Sequence, residues 1–313
     1  MAVHALSDHF GQFFTRLNPS PTFEQTASRE HTAITHLIES RRGPAGALEP
    51  TCFLQGSYRQ DTAIYAINDV DVVALCRLWF PPSAGSGPPY WTRDRIFDTI
   101  AASIRTSPRY ADKVRYGPGS MVIHVELPIK IEVLPVVFKA GNRNAQVEPF
   151  VLFRPERGQW EEGYAREHQR LLTLKNSALL AGGNFKPMIK VLKHLRSHWR
   201  NDAVSFHLEC LLYSLSPVIF IGGPADYITN VLTAIASTPA DTWYRQPLMT
   251  PCGDRDIFTP EEWTYENWLA FYAAVQKWLT AAGYATMAQS KADAIEAWRL
   301  VLGDNFFPAT VSR

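Results

Sequence analysis

Two acidic residues, Asp69 and Asp71, interrupt the run NDVDVVALC, which otherwise has the apolar composition of a buried β-strand. Alternate side chains of a strand lie on one face, so the two carboxylates share a face, and Val70 and Val72 lie on the opposite one. A carboxylate within such a strand costs free energy unless an opposite charge compensates it. The pair is therefore a candidate cation site, although a D-x-D pair alone is most often a solvated strand edge or a turn.

A third acid, Glu132, lies in a second apolar run, IKIEVLPVVF, on the strand face of Lys130. If the two strands are neighbours, three carboxylates converge and offer the hard oxygen ligands that Mg²⁺ requires. Two such ions can hold the attacking and the leaving oxygen of a phosphoryl transfer. Taken alone, Glu132 is better explained as a surface residue on a half-exposed strand.

A Gly-Ser pair, Gly56 and Ser57, follows the short strand CFLQ and precedes the acidic strand. Glycine lets the backbone approach a phosphate closely, and serine offers a hydroxyl and an N–H to the same group. A triphosphate bound there would present its α-phosphorus to metal ions on the acids, which is the geometry of nucleotidyl transfer. The alternative is that the pair forms only a turn.

The elements that must position these residues change character along the chain. The first part combines helices with β-rich runs, whereas almost every run after about residue 160 has helical periodicity. A Pro-, Gly- and Ser-rich stretch at 79–91 predicts a surface loop. We therefore expect an α+β fold with two lobes: residues 1–165 form N-terminal helices and a core of mixed sheet and helices, and residues 166–313 form an all-helical domain. The cleft between lobes is the expected place for the active site.

Composition limits the classes of partner. Lys plus Arg number 31 and Asp plus Glu number 30, so the net charge of +1 argues against a general polyanion binder, and no stable nucleic-acid binding is expected. No apolar stretch approaches the length of a membrane span, and no membrane association is expected. The four scattered cysteines lack metal-binding spacing and favour a reducing cytoplasm.

The motifs FLQGSYRQDTAI, NDVDVV and IEVLPVV together resemble the polymerase-β-like nucleotidyltransferase superfamily. The fuller pattern, from SREHTAITHLIES to WRLVLGDNFFP, is similar to the cGAS/DncV-like nucleotidyltransferases, or CD-NTases. These are bacterial enzymes that make cyclic oligonucleotide signals in anti-phage defence. The resemblance implies the bilobed polymerase-β-like fold, with its active site between the lobes.

The resemblance also implies roles for individual residues. Gly56 and Ser57 would bind the triphosphate, and Asp69, Asp71 and Glu132 would be the catalytic acids that hold two Mg²⁺ ions, with Mn²⁺ as an alternative metal. The third acid of the family is commonly Asp, and the matching position here is Glu132. The longer arm of Glu can still reach a metal ion.

The helix predicted over KPMIKVLKHLRSHWR carries a basic face that includes Lys190 and Lys193. From spacing alone, a solvated face is favoured. The resemblance implies instead that Lys193 and Ser205 contact the donor phosphates and that Phe206 stacks on the base, with Lys190 as the alternative if the register differs by one turn. Ser205 could equally be only the N-cap of the helix SFHLE.

The function implied by the resemblance is a Mg²⁺-dependent, template-independent synthesis of a cyclic di- or trinucleotide from ATP, alone or with a second NTP, with release of pyrophosphate. The product would activate a downstream effector protein, and the enzyme is expected to be a monomer. One alternative is a linear oligonucleotide synthase, or nucleotidyl transfer to a small molecule or a macromolecule. Another is a catalytically weak nucleotide- or RNA-binding sensor, which Glu132 and the basic helix suggest.

Overall fold

The structure is a computed structural model of the 313-residue chain. It describes residues 5–80, 91–139, 144, 146–154 and 158–311, without the side chains of residues 78–80. The described residues divide into two compact units. The sheet unit comprises Ser20–Asp61 and the described parts of Ala66–Gln169. The helical unit comprises the described parts of Met1–Pro19 and Arg170–Arg313, together with Thr62–Tyr65.

Helices and strands are mixed up to residue 163, and the described elements after it are helices. The α-helices of the described residues are α1 Ser7–Leu17, α2 Pro21–Glu39, α3 Gly56–Gln60, α4 Arg93–Arg105, α5 Ala165–Lys175, α6 Ala178–Ala181, α7 Phe185–His198, α8 Ser205–Ser214, α9 Pro224–Ala236, α10 Ala240–Tyr244, α11 Tyr265–Thr286 and α12 Lys291–Leu302. The strands are β1 Thr51–Gln55, β2 Asp69–Phe80, β3 Val114–Arg115, β4 Ile123–Val125, β5 Lys130–Lys139, β6 Phe150–Arg154 and β7 Gln159–Gly163.

The strands of the sheet unit form one mixed sheet in the order β1-β2-β5-β4-β3, with β6 paired to β5 and β7 paired to β6. β2 and β5 are parallel neighbours, and the other pairings are antiparallel. Residues of even number in β2, such as Val70 and Val72, belong to the buried cluster that also contains residues of α2 and α4. Val73 and Leu75 belong to a smaller cluster on the opposite face. Period-two alternation therefore assigns the two faces of β2, and the acids lie on the face of Val73.

A buried carboxylate anchors α2 within the sheet unit. Glu30, whose side chain is 3% exposed, pairs with Arg29 and Arg109 and accepts a hydrogen bond from the hydroxyl of Tyr110 at 2.9 Å. Burial alone would raise its pKa, but the hydrogen bonds from Tyr110, Arg29 and Arg109 hold the pKa below its ordinary value. These contacts join α2 to the turn that follows α4.

The helical unit is built around large aromatic side chains. α11 and α12 contribute Trp268, Trp278 and Trp298, each at most 1% exposed, and Phe13 of α1 packs into the same buried cluster. Rings of this size bury more apolar area than any other side chain, so they dominate the stability of a helical core. No helix among the described residues is long and apolar enough to cross a membrane.

Several details differ from the sequence-based expectations. β2 continues to Phe80, so positions 79 and 80 of the loop predicted over 79–91 are strand instead, and residues 81–90 lie outside the described residues. β6 and β7 were not predicted. The run EEGYAREHQ, expected to be helical throughout, begins in β7 and becomes helical at Ala165.

The predicted domain division at 165/166 lies near the division at Gln169/Arg170, while Thr62–Tyr65 and the described part of Met1–Pro19 group with the helical unit.

Candidate active site

Two of the three acidic residues, Asp71 and Glu132, lie in one row across the sheet. β2 and β5 are neighbouring strands, as the predicted convergence of the acids requires. Their register places Asp71 opposite Glu132. On the other side of β2, Asp71 lies opposite Gln55, the last residue of β1. On the other side of β5, Glu132 lies opposite His124 of β4. Asp69, two residues before Asp71, shares its face, so three carboxylates lie on two adjacent strands.

Gly56 packs directly against this row. It is the first residue of α3 and has φ of +69°, a conformation that residues with a Cβ rarely adopt. A Cβ at this position would overlap Oδ2 of Asp71 and would lie 2.8 Å from its Cγ. Glycine is therefore required both by the backbone angle and by the proximity of the Asp71 carboxylate. Ser57 follows in the same short helix and is half-buried.

The carboxylate of Glu132 has basic neighbours that its sequence position does not reveal. Nζ of Lys130 donates to Glu132 Oε1 at 2.6 Å, and Nδ1 of His124 lies 3.4 Å from the same oxygen without the geometry of a hydrogen bond. The side chain of Glu132 is 19% exposed. The contact with Glu132 raises the pKa of Lys130 above its ordinary value, with further contributions from the charges of Glu132 and Asp69. Lys130 is therefore a cation on the acidic face.

In the helical unit, Lys193 lies in a buried polar network. Its Nζ lies 2.7 Å from Glu209 Oε1 and donates to Oγ1 and to the backbone oxygen of Thr62 at 3.1 and 3.2 Å. Lys193 is 3% exposed and Thr62 is fully buried. Lys190, also buried, donates to Asn18 Oδ1 at 3.0 Å. The alternative of a solvated basic face is thus wrong for both lysines.

The residues at the start of α8 also have polar partners. Ser205 is the first residue of the helix, and its Oγ accepts from Nη1 of Arg196 at 3.0 Å. The N-cap is Val204 and no side chain caps the helix, so the alternative that Ser205 is only an N-cap is wrong. Phe206 is half-buried, and its ring centroid lies 5.2 Å from the guanidinium carbon of Arg255. Neither arginine was singled out from the sequence, because both contacts depend on how separate elements pack in the folded protein.

Two family models together cover most of the chain. Residues 4–176 match the Second Messenger Oligonucleotide or Dinucleotide Synthetase domain. Residues 172–280 match the cGAS/DncV-like nucleotidyltransferase C-terminal helical domain. The chain belongs to the CD-NTase family. The resemblance on the Gly-Ser and acidic motifs is therefore confirmed, and the CD-NTase is a nucleotidyltransferase.

Individual relatives agree with this assignment. The cyclic UMP-AMP synthase of Rhodothermus marinus (strain SG0.5JP17-172) is 25% identical over 267 residues, 77% of this CD-NTase and 88% of the relative. The structure of Rhodothermus marinus CdnE c-UMP-AMP synthase with Apcpp and Upnpp aligns with a TM-score of 0.68 at 21% identity, covering 91% of this chain and 98% of the other. That of Vibrio cholerae DncV cyclic AMP-GMP synthase with nonhydrolyzable GTP aligns with a TM-score of 0.71 at 10% identity, covering 97% of each chain. The expected fold class, a mixed sheet with helices and a C-terminal helical domain, is confirmed.

Enzymes of this family generally use divalent metal ions. The three carboxylates of the CD-NTase have the ligand chemistry that Mg²⁺ requires, and Asp71 and Glu132 are in register on adjacent strands. Among the described residues, however, no group of three or more His, Cys, Asp and Glu side chains is arranged to hold a metal ion. The acids fit a metal site in type and register, while the carboxylate of Glu132 is paired with Lys130.

Proposed function

We propose that the enzyme joins nucleoside triphosphates, without a template, into a cyclic di- or trinucleotide second messenger and releases pyrophosphate. The observation that carries this proposal is the row of acids on β2 and β5, with Gly56 against Asp71. The relative of Rhodothermus marinus, named a cyclic UMP-AMP synthase, supports a cyclic product made from two kinds of NTP. ATP, alone or with a second NTP, is the proposed substrate.

In this proposal Asp69, Asp71 and Glu132 would hold two Mg²⁺ ions, with Mn²⁺ as an alternative. The chemistry that such ions supply when bound is stabilisation of negative charge on the attacking and leaving oxygens. The acids would also orient a ribose hydroxyl of the acceptor nucleotide towards the α-phosphorus of the donor. The backbone of Gly56 and the hydroxyl of Ser57 would bind the triphosphate, so that pyrophosphate leaves in line with the attack.

The residues of the helical unit keep their predicted roles as proposals. Lys193 and Ser205 would contact phosphates of the donor, Phe206 would stack on its base, and Lys190 is the alternative to Lys193. A lysine suits a phosphate as a point charge, and an aromatic face accepts any base. Lys193 already pairs with Glu209, so a phosphate would compete with that carboxylate for the ammonium.

The biological setting is proposed from the family and from the composition of the chain. The cyclic product would activate an effector protein in anti-phage signalling, and the enzyme would act as a cytoplasmic monomer without stable binding to a membrane or to nucleic acid. These statements follow from the resemblance and from the nearly neutral charge of the chain.

The test uses purified protein with Mg²⁺ and the four NTPs. We expect release of pyrophosphate and a product that resists phosphatase, because a cyclic oligonucleotide has no terminal phosphate. The double variant Asp69→Asn and Asp71→Asn should lose at least about 100-fold in rate, since both oxygen ligands are weakened. Asp112→Asn, whose side chain is 75% exposed, serves as the matched control.

Each other outcome selects a different function. A product sensitive to phosphatase would indicate a linear oligonucleotide, and nucleotide binding without pyrophosphate release would indicate a sensor. Full activity of the double aspartate variant would show that the acids of β2 are not the catalytic site.

A further inference from the structure

A lysine lies among the acids of the proposed metal site. Lys130, the first residue of β5, is opposite Asp69 in the register of β2 and β5 and is on the same strand face as Glu132. Its Nζ is 2.6 Å from Glu132 Oε1, and its side chain is 33% exposed. The backbone N–H of Lys130 also donates to the backbone oxygen of Asn68 at 2.8 Å, which fixes the start of β5 beside the start of β2.

The charges of this face explain why a cation lies there. Asp71 and Glu132 are directly opposite each other on two neighbouring strands, whose backbones are about 5 Å apart, and Asp69 lies on the same face two positions before Asp71. Like charges at this spacing repel one another, and an opposite charge within the cluster reduces that repulsion. The ammonium of Lys130 provides this charge from within the chain, and His124 faces the same carboxylate from β4.

We propose that Lys130 is a built-in counter-ion of the metal site, which holds the Glu132 carboxylate by an ion pair and releases it when a divalent ion binds. The inference rests on the proposed function, because it takes Asp69, Asp71 and Glu132 as the metal ligands. Metal binding then exchanges one ion pair for a coordination bond. Lys130 thereby weakens the affinity for metal and stabilises the metal-free protein.

The structure supplies a matched control on the same strand. Lys139, at the other end of β5, makes an ion pair with Glu162, also at 2.6 Å. Its side chain is 49% exposed, and Glu162 is not one of the proposed ligands. Removing the ammonium of Lys139 therefore repeats the loss of a lysine–glutamate pair on β5 without touching the acids of the site.

The experiment measures Mn²⁺ binding to the nucleotide-free, full-length protein by electron paramagnetic resonance of free Mn²⁺. We expect Lys130→Met to lower the Mn²⁺ dissociation constant about tenfold, because the metal no longer competes with an ammonium. Lys130→Arg, which keeps the charge, and Lys139→Met should each stay within about twofold of the wild type. If the wild type binds no Mn²⁺ and Lys130→Met does, the inference is likewise supported.

The double variant Asp69→Asn and Asp71→Asn separates the two proposals. If that variant loses Mn²⁺ binding while Lys130→Met binds as the wild type does, the counter-ion role of Lys130 is wrong and the metal site stands. If the double variant binds Mn²⁺ with wild-type affinity, the metal site itself is misplaced and the proposed function fails with it. Absence of Mn²⁺ binding in both the wild type and Lys130→Met would overturn the inference.

Discussion

Replacing Gly56 by alanine tests the link between the Gly-Ser pair and the acids most directly. The change adds one methyl group, and the new Cβ would overlap Oδ2 of Asp71. β2 cannot move away easily, because Val70 and Val72 on either side of Asp71 are fully buried. The Asp71 side chain must therefore rotate out of its present position.

The cost has two parts that the structure separates. An alanine at φ of +69° costs about 1–2 kcal/mol in the backbone, and a displaced Asp71 rotamer adds about 1 kcal/mol. Gly253 has φ of +70° and no atom within 4 Å of an added Cβ, so Gly253→Ala carries the backbone cost alone. We expect Gly56→Ala to be less stable than Gly253→Ala by about 1 kcal/mol.

The activity difference should be larger than the stability difference. A catalytic group displaced by about 1 Å can cost about 100-fold in rate, so Gly56→Ala should lose at least that much pyrophosphate release while Gly253→Ala keeps the wild-type rate. Urea denaturation measures the free energy of unfolding of each variant. In an Asp71→Ala background, the loss of stability caused by Gly56→Ala should shrink to the backbone cost alone, because the Asp71 carboxylate is no longer displaced. Wild-type activity of Gly56→Ala, or equal stability losses at the two glycines, would refute the reasoning.

Two further predictions concern the helical unit. Glu209→Gln should destabilise the protein by about 3–5 kcal/mol in urea denaturation, because it leaves the buried ammonium of Lys193 without its counter-charge. The double change Lys193→Met with Glu209→Met should recover much of this loss. Equal stability of Glu209→Gln and the wild type would contradict the prediction. Burial lowers the pKa of His194 to about 4, whereas the pKa in the unfolded chain is about 6.5. As the pH falls, the unfolded state therefore binds a proton first, and the free energy of unfolding decreases below pH 6.5. His194 should account for about 1 kcal/mol of the loss between pH 6.5 and 5.5, and His194→Gln should lack that part of the pH dependence.

The strand faces of the three acids could be predicted from the sequence because they depend on a local rule. Period-two alternation places Asp69 and Asp71 on one face whatever the strand pairs with, and the same rule places Glu132 on the face of Lys130. The register of β2 against β5 and the ion pair of Glu132 were not predictable, since they depend on pairing between segments about 60 residues apart and on side-chain direction.

The basic helix shows where such a local rule fails. Helical spacing put Lys190 and Lys193 on a polar face, and spacing alone favoured solvent as their surroundings. Their surroundings are instead set by Thr62, Glu209 and Asn18, which lie up to 172 positions away in the chain. Likewise, β6 and β7 form because β5 offers an edge for pairing, a tertiary effect that outweighs the local preference of EEGYAREHQ for helix.

The division of the chain bears on how this fold can be recombined. The polypeptide passes from one unit to the other after Pro19, Asp61, Tyr65 and Gln169. A fragment that starts at residue 170 would lack Phe13 of α1, which is fully buried in the core of the helical unit, and also Thr62, the partner of Lys193. The units are thus interleaved rather than consecutive, so relatives cannot exchange them as single contiguous blocks, and an insertion between Asp61 and Ala66 would disturb both at once.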